Sequence, residues 1–222
     1  MPRRIKFFGG SDGTYPIKNP KQVVAVLSYL IIKRDRAKSD IKRYIAYRNY
    51  IIFLTGMNTA FRAEDLLQLR VKDVITGYMD VIENKTGKHQ HFPLNKELLS
   101  ELKKYIDTYN LTSNEYLFMG QKKTTTYQGT TKPVIYPVTR QNMRMVFKDV
   151  AKHVGINFKF GLHSLRKTFG YQWMLKGNSL LTLQRMYNHE SPDITLLYVC
   201  WNMDDVEQAR QSSFIGLNGV KM

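Results

Sequence analysis

The sequence predicts a mainly α-helical domain with a small antiparallel β-sheet, an α+β fold. Three observations carry this prediction. Apolar residues recur at helical spacing in several segments, as in Val23, Val24, Leu27, Leu30 and Ile31. Helix-start signals stand directly ahead of such segments, at Asn19-Pro20, Ser39-Asp40, Asn95 and Ser191-Pro192. Strand-like runs are few and flank one turn, Asn84-Lys85-Thr86-Gly87-Lys88.

Taken in order, residues 1–18 are basic, then rich in Gly, Ser and Asp, and read as a flexible arm. A first helix starts at Asn19-Pro20 and gives way to the basic run Lys33 to Lys38. A second runs from Ser39-Asp40 towards Gly56, carrying Tyr44, Ile45, Tyr47, Ile51 and Leu54. A short helix spans about Ala63 to Leu69, and Val71 to Val74 is strand-like. Tyr78 to Ile82 and His89 to Leu94 read as paired strands. Asn95 caps a helix whose apolar face holds Leu98, Leu99, Leu102, Tyr105 and Ile106. Residues 119–137 read as a long polar loop, the kind that tends to be functional or mobile. Helix returns from Thr139 to Val154, with Gly155 as a left-handed cap. Three helices follow, one bearing His163, one opened by Gly177-Asn178-Ser179 and one opened by Ser191-Pro192. A last helix near Asp204 to Gln211 leads to an apolar tail, residues 213–222, with Phe214, Ile215 and Leu217.

Composition narrows the partners. The chain has 222 residues, 43% of them hydrophobic, with 14 tyrosines and 11 phenylalanines, which argues against disorder. Thirty-four basic residues face 18 acidic ones, a net charge of +16. Spread along the chain, this excess points to a folded basic surface for a polyanion, nucleic acid or an anionic membrane. Cys200 is the single cysteine, so a disulfide framework and a cysteine-rich zinc site are excluded. Its bland reading is a small buried apolar residue. No signal peptide and no membrane span are evident, so a cytoplasmic protein with no membrane partner is expected.

The chemistry concentrates near the C-terminus. In Gly161-Leu-His-Ser-Leu-Arg-Lys-Thr-Phe-Gly170, His163 and Arg166 are three residues apart on one helical face. His189 follows in Asn188-His189-Glu190-Ser191-Pro192, and Tyr198 comes nine residues later. A tyrosine hydroxyl is a nucleophile, and a His/Arg cluster answers the charge of a phosphate under attack. Thr55-Gly56 and Arg62-Ala-Glu-Asp65-Leu-Leu supply a second arginine, and the turn presents Lys85. Each of these residues alone has a plainer reading. Tyr198 is one of fourteen tyrosines, the arginines could be surface charges, and a turn lysine usually only solubilises. No metal-ligand cluster, carboxylate pair or Walker-type loop is apparent, so neither cofactor nor metal is expected.

Together, in this order and spacing, Arg62, Lys85, His163, Arg166, His189 and Tyr198 resemble the tyrosine recombinases, the phage-integrase family. The resemblance covers roughly residues 45–212, that family's catalytic domain. It implies that residues 19–212 form the catalytic domain of a site-specific DNA recombinase. Tyr198 would attack a phosphodiester and leave a 3′-phosphotyrosyl link. Arg62 and Arg166 would clamp the non-bridging oxygens with planar paired donors. His163 would take the tyrosine proton, His189 would donate to the phosphate, and Lys85 would protonate the leaving 5′ oxygen. Lys88 is near enough in sequence to compete with Lys85. Asp65 would hold Arg62 by a charge-assisted pair, its plainer reading being a solvated acid. Lys88, Arg140 and Lys167 are expected at the DNA.

The implied partners are double-stranded DNA recombination sites, a homotetramer on DNA, a neighbouring protomer for the tail, and accessory DNA-bending proteins. Two departures stand out. Some fifty residues precede Thr55-Gly56, too few for the helical DNA clamp usual in the family, so the catalytic unit either acts alone or lacks its clamp. Asn188 stands where glycine is common, and asparagine tolerates the same left-handed backbone. Two rival readings are a DNA-binding regulator of the same fold without activity, and type IB topoisomerase-like relaxation.

Overall fold

The computed structural model describes residues 13–127 and 130–213, and for residues 121–134 the backbone alone. The predicted tail residues Phe214, Ile215 and Leu217, and most of the predicted arm, lie outside the described residues. In chain order the described elements begin with α1 (Pro20–Asp35), α2 (Asp40–Thr59) and α3 (Ala63–Gln68), followed by a 3-10 turn at Val71–Asp73. The hairpin β1 (Tyr78–Ile82) and β2 (His89–Pro93) comes next, then α4 (Lys96–Thr108). A second hairpin, β3 (Met119–Tyr127) and β4 (Thr130–Pro137), precedes α5 (Arg140–Val154) and α6 (Leu162–Leu175). The described chain closes with α7 (Leu180–Tyr187), α8 (Pro192–Val199) and α9 (Met203–Ser212).

The predicted caps form. Asn19, Ser39, Asn95, Thr139 and Ser191 each accept a backbone N–H of the first turn behind them, and proline opens both α1 and α8. Each side-chain oxygen thereby satisfies one of the unpaired donors at a helix start. Gly155 closes α5 at φ 69° in the left-handed region.

Helix α2 is the centre of the large core. Ile51, Ile52 and Phe53 are consecutive and fully buried, so this stretch is enclosed on all sides rather than on one stripe. Phe53 stacks on Phe147 of α5 at 4.4 Å between ring centroids, and Tyr47 meets Tyr105 of α4 edge-on at 5.3 Å. Gly56 lies inside α2, not at its end, and the helix runs on to Thr59. A Cβ at position 56 would come within 2.7 Å of Leu165 Cδ1 on α6, so glycine is what allows α2 and α6 to pack this closely. A second, smaller cluster of Ala60, Leu183, Tyr187 and Val199 gathers α7 and α8 against α6.

Three predicted features are corrected. Val71–Asp73 is a 3-10 turn rather than a strand: the backbone N–H of Arg70 donates to the Asp73 carboxylate at 2.7 Å, a local bond that competes with strand pairing. Where a loop over residues 119–137 is predicted, Met119–Tyr127 and Thr130–Pro137 form antiparallel strands, paired from Met119↔Pro137 to Tyr127↔Thr130. Consecutive threonines and the run Val134-Ile135-Tyr136 favour extended backbone, and Pro133 is tolerated in a two-stranded ribbon whose outer edges need no partner. The arm does not reach residue 18. Thr14 and Ile17 are buried, Ile17 N–H donates to Thr168 Oγ1 at 2.8 Å, and Lys18 pairs with Asp205 of α9 at 2.7 Å.

Candidate active site

Arg166 lies one turn into α6, whose packing on α2 at Gly56 carries it into the interior, 3% exposed. Its Nη1 donates to the carbonyl of Ala60, the left-handed residue (φ 60°) that caps α2. Its Nη2 donates to the Tyr187 carbonyl at 3.0 Å, and its guanidinium lies 4.4 Å from the centroid of the Tyr187 ring. Burial lowers the Arg166 pKa from its ordinary value, yet a guanidinium titrates so high that the side chain remains a cation.

Arg62 follows that cap and sits immediately before α3. Its Nη2 reaches the same Tyr187 carbonyl at 3.5 Å, so one backbone oxygen receives donors from both arginines. Its Nη1 pairs with Glu83 at 2.5 Å. Glu83, 2% exposed, stands between β1 and the hairpin tip. Its Oε2 also accepts from Thr86 Oγ1 at 2.6 Å and Asn188 Nδ2 at 3.5 Å, while Oε1 accepts from Gln90 Nε2 at 3.2 Å. Burial alone would raise the Glu83 pKa, but Thr86, Arg62 and Arg166 outweigh it and hold the carboxyl below its usual range.

His189 follows Asn188, which takes the left-handed backbone anticipated for it, φ 54°. Its Nδ1 lies 3.1 Å from Thr195 Oγ1, whose own proton is directed to the Ser191 carbonyl at 3.3 Å. Desolvation, then the charges of Arg166 and Arg62, push the His189 pKa down to about 4, so the ring is neutral near pH 7. Tyr198, on α8, is partly buried, with its ring edge-on to His189 at 5.1 Å and 5.8 Å from the Arg166 guanidinium. Arg62, Arg166, His189 and Tyr198 thus converge on one spot.

The other predicted residues are placed around it. His163 is half-buried in the first turn of α6, one turn ahead of Arg166. Lys85 is exposed in the turn between β1 and β2, two residues from Glu83. Lys88 is exposed and donates to Asn188 Oδ1 at 3.0 Å, which fastens the hairpin beside His189. Arg140 is exposed and pairs with Glu64 at 2.7 Å.

Three expectations about this region are corrected. Asp65 does not hold Arg62: its Oδ1 accepts the backbone N–H of Asn84 at 2.9 Å, and Arg62 takes Glu83 instead. Asp65 is buried and braces the turn that carries Lys85. Lys167, expected at the DNA, is fully buried, donates to the Thr14 carbonyl at 2.6 Å, and lies 5.2 Å from the Tyr198 ring centroid. The metal-ligand grouping thought absent exists on the outer face of the β1–β2 hairpin, where Asp80, His89 and His91 meet. Cys200 is only partly buried and caps α8 in the left-handed region.

Glu83 and Tyr187 are the site residues that sequence reasoning missed. Tyr187 continues the helical spacing from Leu180 and Leu183, which marks it as apolar-facing but not as the acceptor for two arginines. Its hydroxyl donates to the Arg166 carbonyl at 2.5 Å, and burial drives its pKa far upward, so it stays neutral.

The Phage integrase family profile matches residues 31–204. Among curated proteins, the chain is 31% identical to the probable integrase/recombinase YoeC of Bacillus subtilis, over 91% of this chain and 97% of that protein. It is 26% identical to the tyrosine recombinase XerA of Pyrococcus horikoshii, over 87% of this chain but 64% of that protein. The fold is similar to the crystal structure of XerA recombinase, with TM-score 0.66 and 18% identity, covering 92% of this chain and 66% of that one. It is also similar to the catalytic domain of bacteriophage HP1 integrase, with TM-score 0.55 and 16% identity, covering 90% and 95%. The chain belongs to the phage integrase family, the tyrosine-type site-specific recombinases, and has the fold of that family's catalytic domain.

Proposed function

We propose that this chain cuts and rejoins DNA at specific sites, with Tyr198 as the nucleophile. The observation that carries this reading is the convergence of Arg62 and Arg166 on the Tyr187 carbonyl, beside His189 and the Tyr198 ring. Attack of a tyrosine on a phosphodiester needs a positioned nucleophile and fixed positive charge to meet the charge that develops on the phosphate. Both arginines are already held in place by backbone carbonyls and by Glu83, so little reorganisation is needed when a phosphate arrives.

In the proposed reaction the Tyr198 oxygen forms a bond to phosphorus and the bond to the 5′ oxygen breaks. His163 takes the tyrosine proton and Lys85 gives one to the 5′ oxygen; reversing these transfers rejoins the strand. The phosphate's negative charge opposes the arginine charges that depress His189. On DNA, His189 therefore gains a proton more readily and can donate through Nε2. Arg62 and Arg166 meet the charge of the five-coordinate phosphorus.

Double-stranded DNA is the proposed partner. Neighbours in fold include XerH site-specific recombinase bound to its palindromic difH substrate (TM-score 0.63) and the Tn1549 transposon integrase in complex with a circular intermediate DNA (TM-score 0.58). The net charge of +16 fits such a polyanion. Lys85, Lys88 and Arg140 are the exposed cations proposed to reach it, in a homotetramer assisted by DNA-bending proteins.

Covalent trapping tests the proposal. Incubated with supercoiled DNA carrying the sequences that flank its gene and then denatured in detergent, the chain is expected to yield a protease-sensitive adduct. Tyr198→Phe should lose the adduct and keep salt-dependent binding. Binding without any adduct would favour a non-cleaving regulator. Relaxation without strand exchange would favour a topoisomerase-like activity.

A further inference from the structure

We propose that the outer face of the β1–β2 hairpin is a transition-metal site made by Asp80, His89 and His91. Two-residue spacing on a strand puts both imidazoles on the same face, and the register sets Asp80 directly opposite His91. A ligand atom from each of the three lies within 4.8 Å of the others. His89 Nε2 already contacts Asp80 Oδ1, and His91 Nδ1 stands 3.9 Å from that same oxygen. A surface ion pair would account for His89 and Asp80 but not for the third group aimed at the same atom. Tyr78 stacks on one face of His91 with centroids 5.0 Å apart and planes within 6°.

The donor set is two imidazole nitrogens and one carboxylate oxygen. It suits Zn²⁺, Ni²⁺ or Cu²⁺ and is a poor match for Mg²⁺ or Ca²⁺, which favour oxygen ligands. A tetrahedral zinc with bonds of about 2.0–2.1 Å holds its ligand atoms roughly 3.3 Å apart. All three side chains are more than half exposed, so modest rotations close the gap and water fills the fourth position. Bound there, the ion ties β1 to β2 behind the turn that presents Lys85 and Lys88. It stiffens the hairpin and takes no part in the reaction at Tyr198.

Isothermal titration of the untagged chain with ZnCl₂ at pH 7.5 tests the site. One equivalent is expected to bind, binding is expected to be lost in both His89→Ala and His91→Ala, and His153→Ala should bind as the parent does. These residues are exposed, so the variants should fold normally, which circular dichroism checks. A second readout is independent of substitution: the electron paramagnetic resonance spectrum of one added Cu²⁺ should show coupling to two imidazole nitrogens. Absence of zinc binding in the parent, unchanged binding in both hairpin variants, an equal response to MgCl₂, or copper coupled to fewer than two nitrogens would each overturn the proposal.

Discussion

Arg166 and Tyr198 approach to 5.8 Å, yet they belong to differently built regions. Arg166 rides on α6, which is wedged against α2 in a core that includes thirty buried apolar side chains among the described residues. Tyr198 rides on α8, eight residues long, held through a smaller cluster, four buried apolar side chains among the described residues. Free energies of local opening follow the amount of buried contact, so α6 belongs to a more protected part of the molecule and α8, with the proposed nucleophile, to a less protected one. This division suits the proposed reaction, in which the charges are preset while Tyr198 moves between free and phosphate-linked states.

The contrast can be broken at four points. The largest expected effect is on the clamp. Arg166→Ala should slow adduct formation by about 10²–10³-fold, the usual cost of removing a transition-state donor. It should also lower the melting temperature, because the Ala60 and Tyr187 carbonyls lose a buried partner. A variant that keeps both rate and melting temperature would show that the preset clamp is not needed.

Two close-packed glycines, Gly170 and Gly56, separate the regions directly. A Cβ at Gly170 would sit within 2.6 Å of Val199 Cγ1 and closer still to the Tyr187 hydroxyl. Gly170→Ala should therefore cost about 1–3 kcal/mol by overpacking, felt as faster amide exchange in α7 and α8. Gly56→Ala presses on Leu165 and Leu66 and should instead speed exchange in α2 and α6. Identical exchange patterns in the two variants would mean that the clusters open as one unit.

Glu83→Gln joins the regions chemically. It leaves Arg62 without its charged partner and weakens the link from Thr86 to Asn188. We expect about 1.5–3 kcal/mol lost from cleavage, the worth of a hydrogen bond to a charged group, measured as the rate of adduct formation at saturating DNA. Glu83→Asp should restore part of this, since the charge is kept.

The smallest expected effect is the pH dependence set by His189. Its folded pKa of about 4 lies below the ordinary 6.5, so the unfolded chain binds the extra proton first. Stability without DNA should accordingly fall as pH drops from about 6.5 towards 4. In His189→Gln that part of the slope should flatten, as followed by urea denaturation at a series of pH values. A slope equal to the parent's would show that His189 does not carry the pH dependence in this range.

Much of the architecture was legible because it is local. Asn19-Pro20, Ser39 and Ser191-Pro192 mark helix starts through bonds to backbone a few residues away, and Asn188 could be anticipated as left-handed from its residue type alone. The strand read at Val71 failed because Asp73 folds back on Arg70, and the loop read at residues 119–137 failed because composition counted polarity over β-propensity. The site residues could be named from order and spacing, but their partners could not. Asp65 stands three residues from Arg62, whereas Glu83 is 21 residues away and only the fold of the hairpin over α3 brings it to the arginine.

By itself the sequence determined the helical periods, the caps and the charge, because each depends on residue type and near neighbours, and its resemblance to the tyrosine recombinases put forward the set Arg62, Lys85, His163, Arg166, His189 and Tyr198. The tertiary structure decided which groups share a proton or a charge: Glu83 with Arg62, the Tyr187 carbonyl between two arginines, Thr195 behind His189, and Lys167 turned inward to Thr14. Such pairings join residues up to 153 positions apart, and their strength depends on burial, a property of the packed chain and of no segment within it.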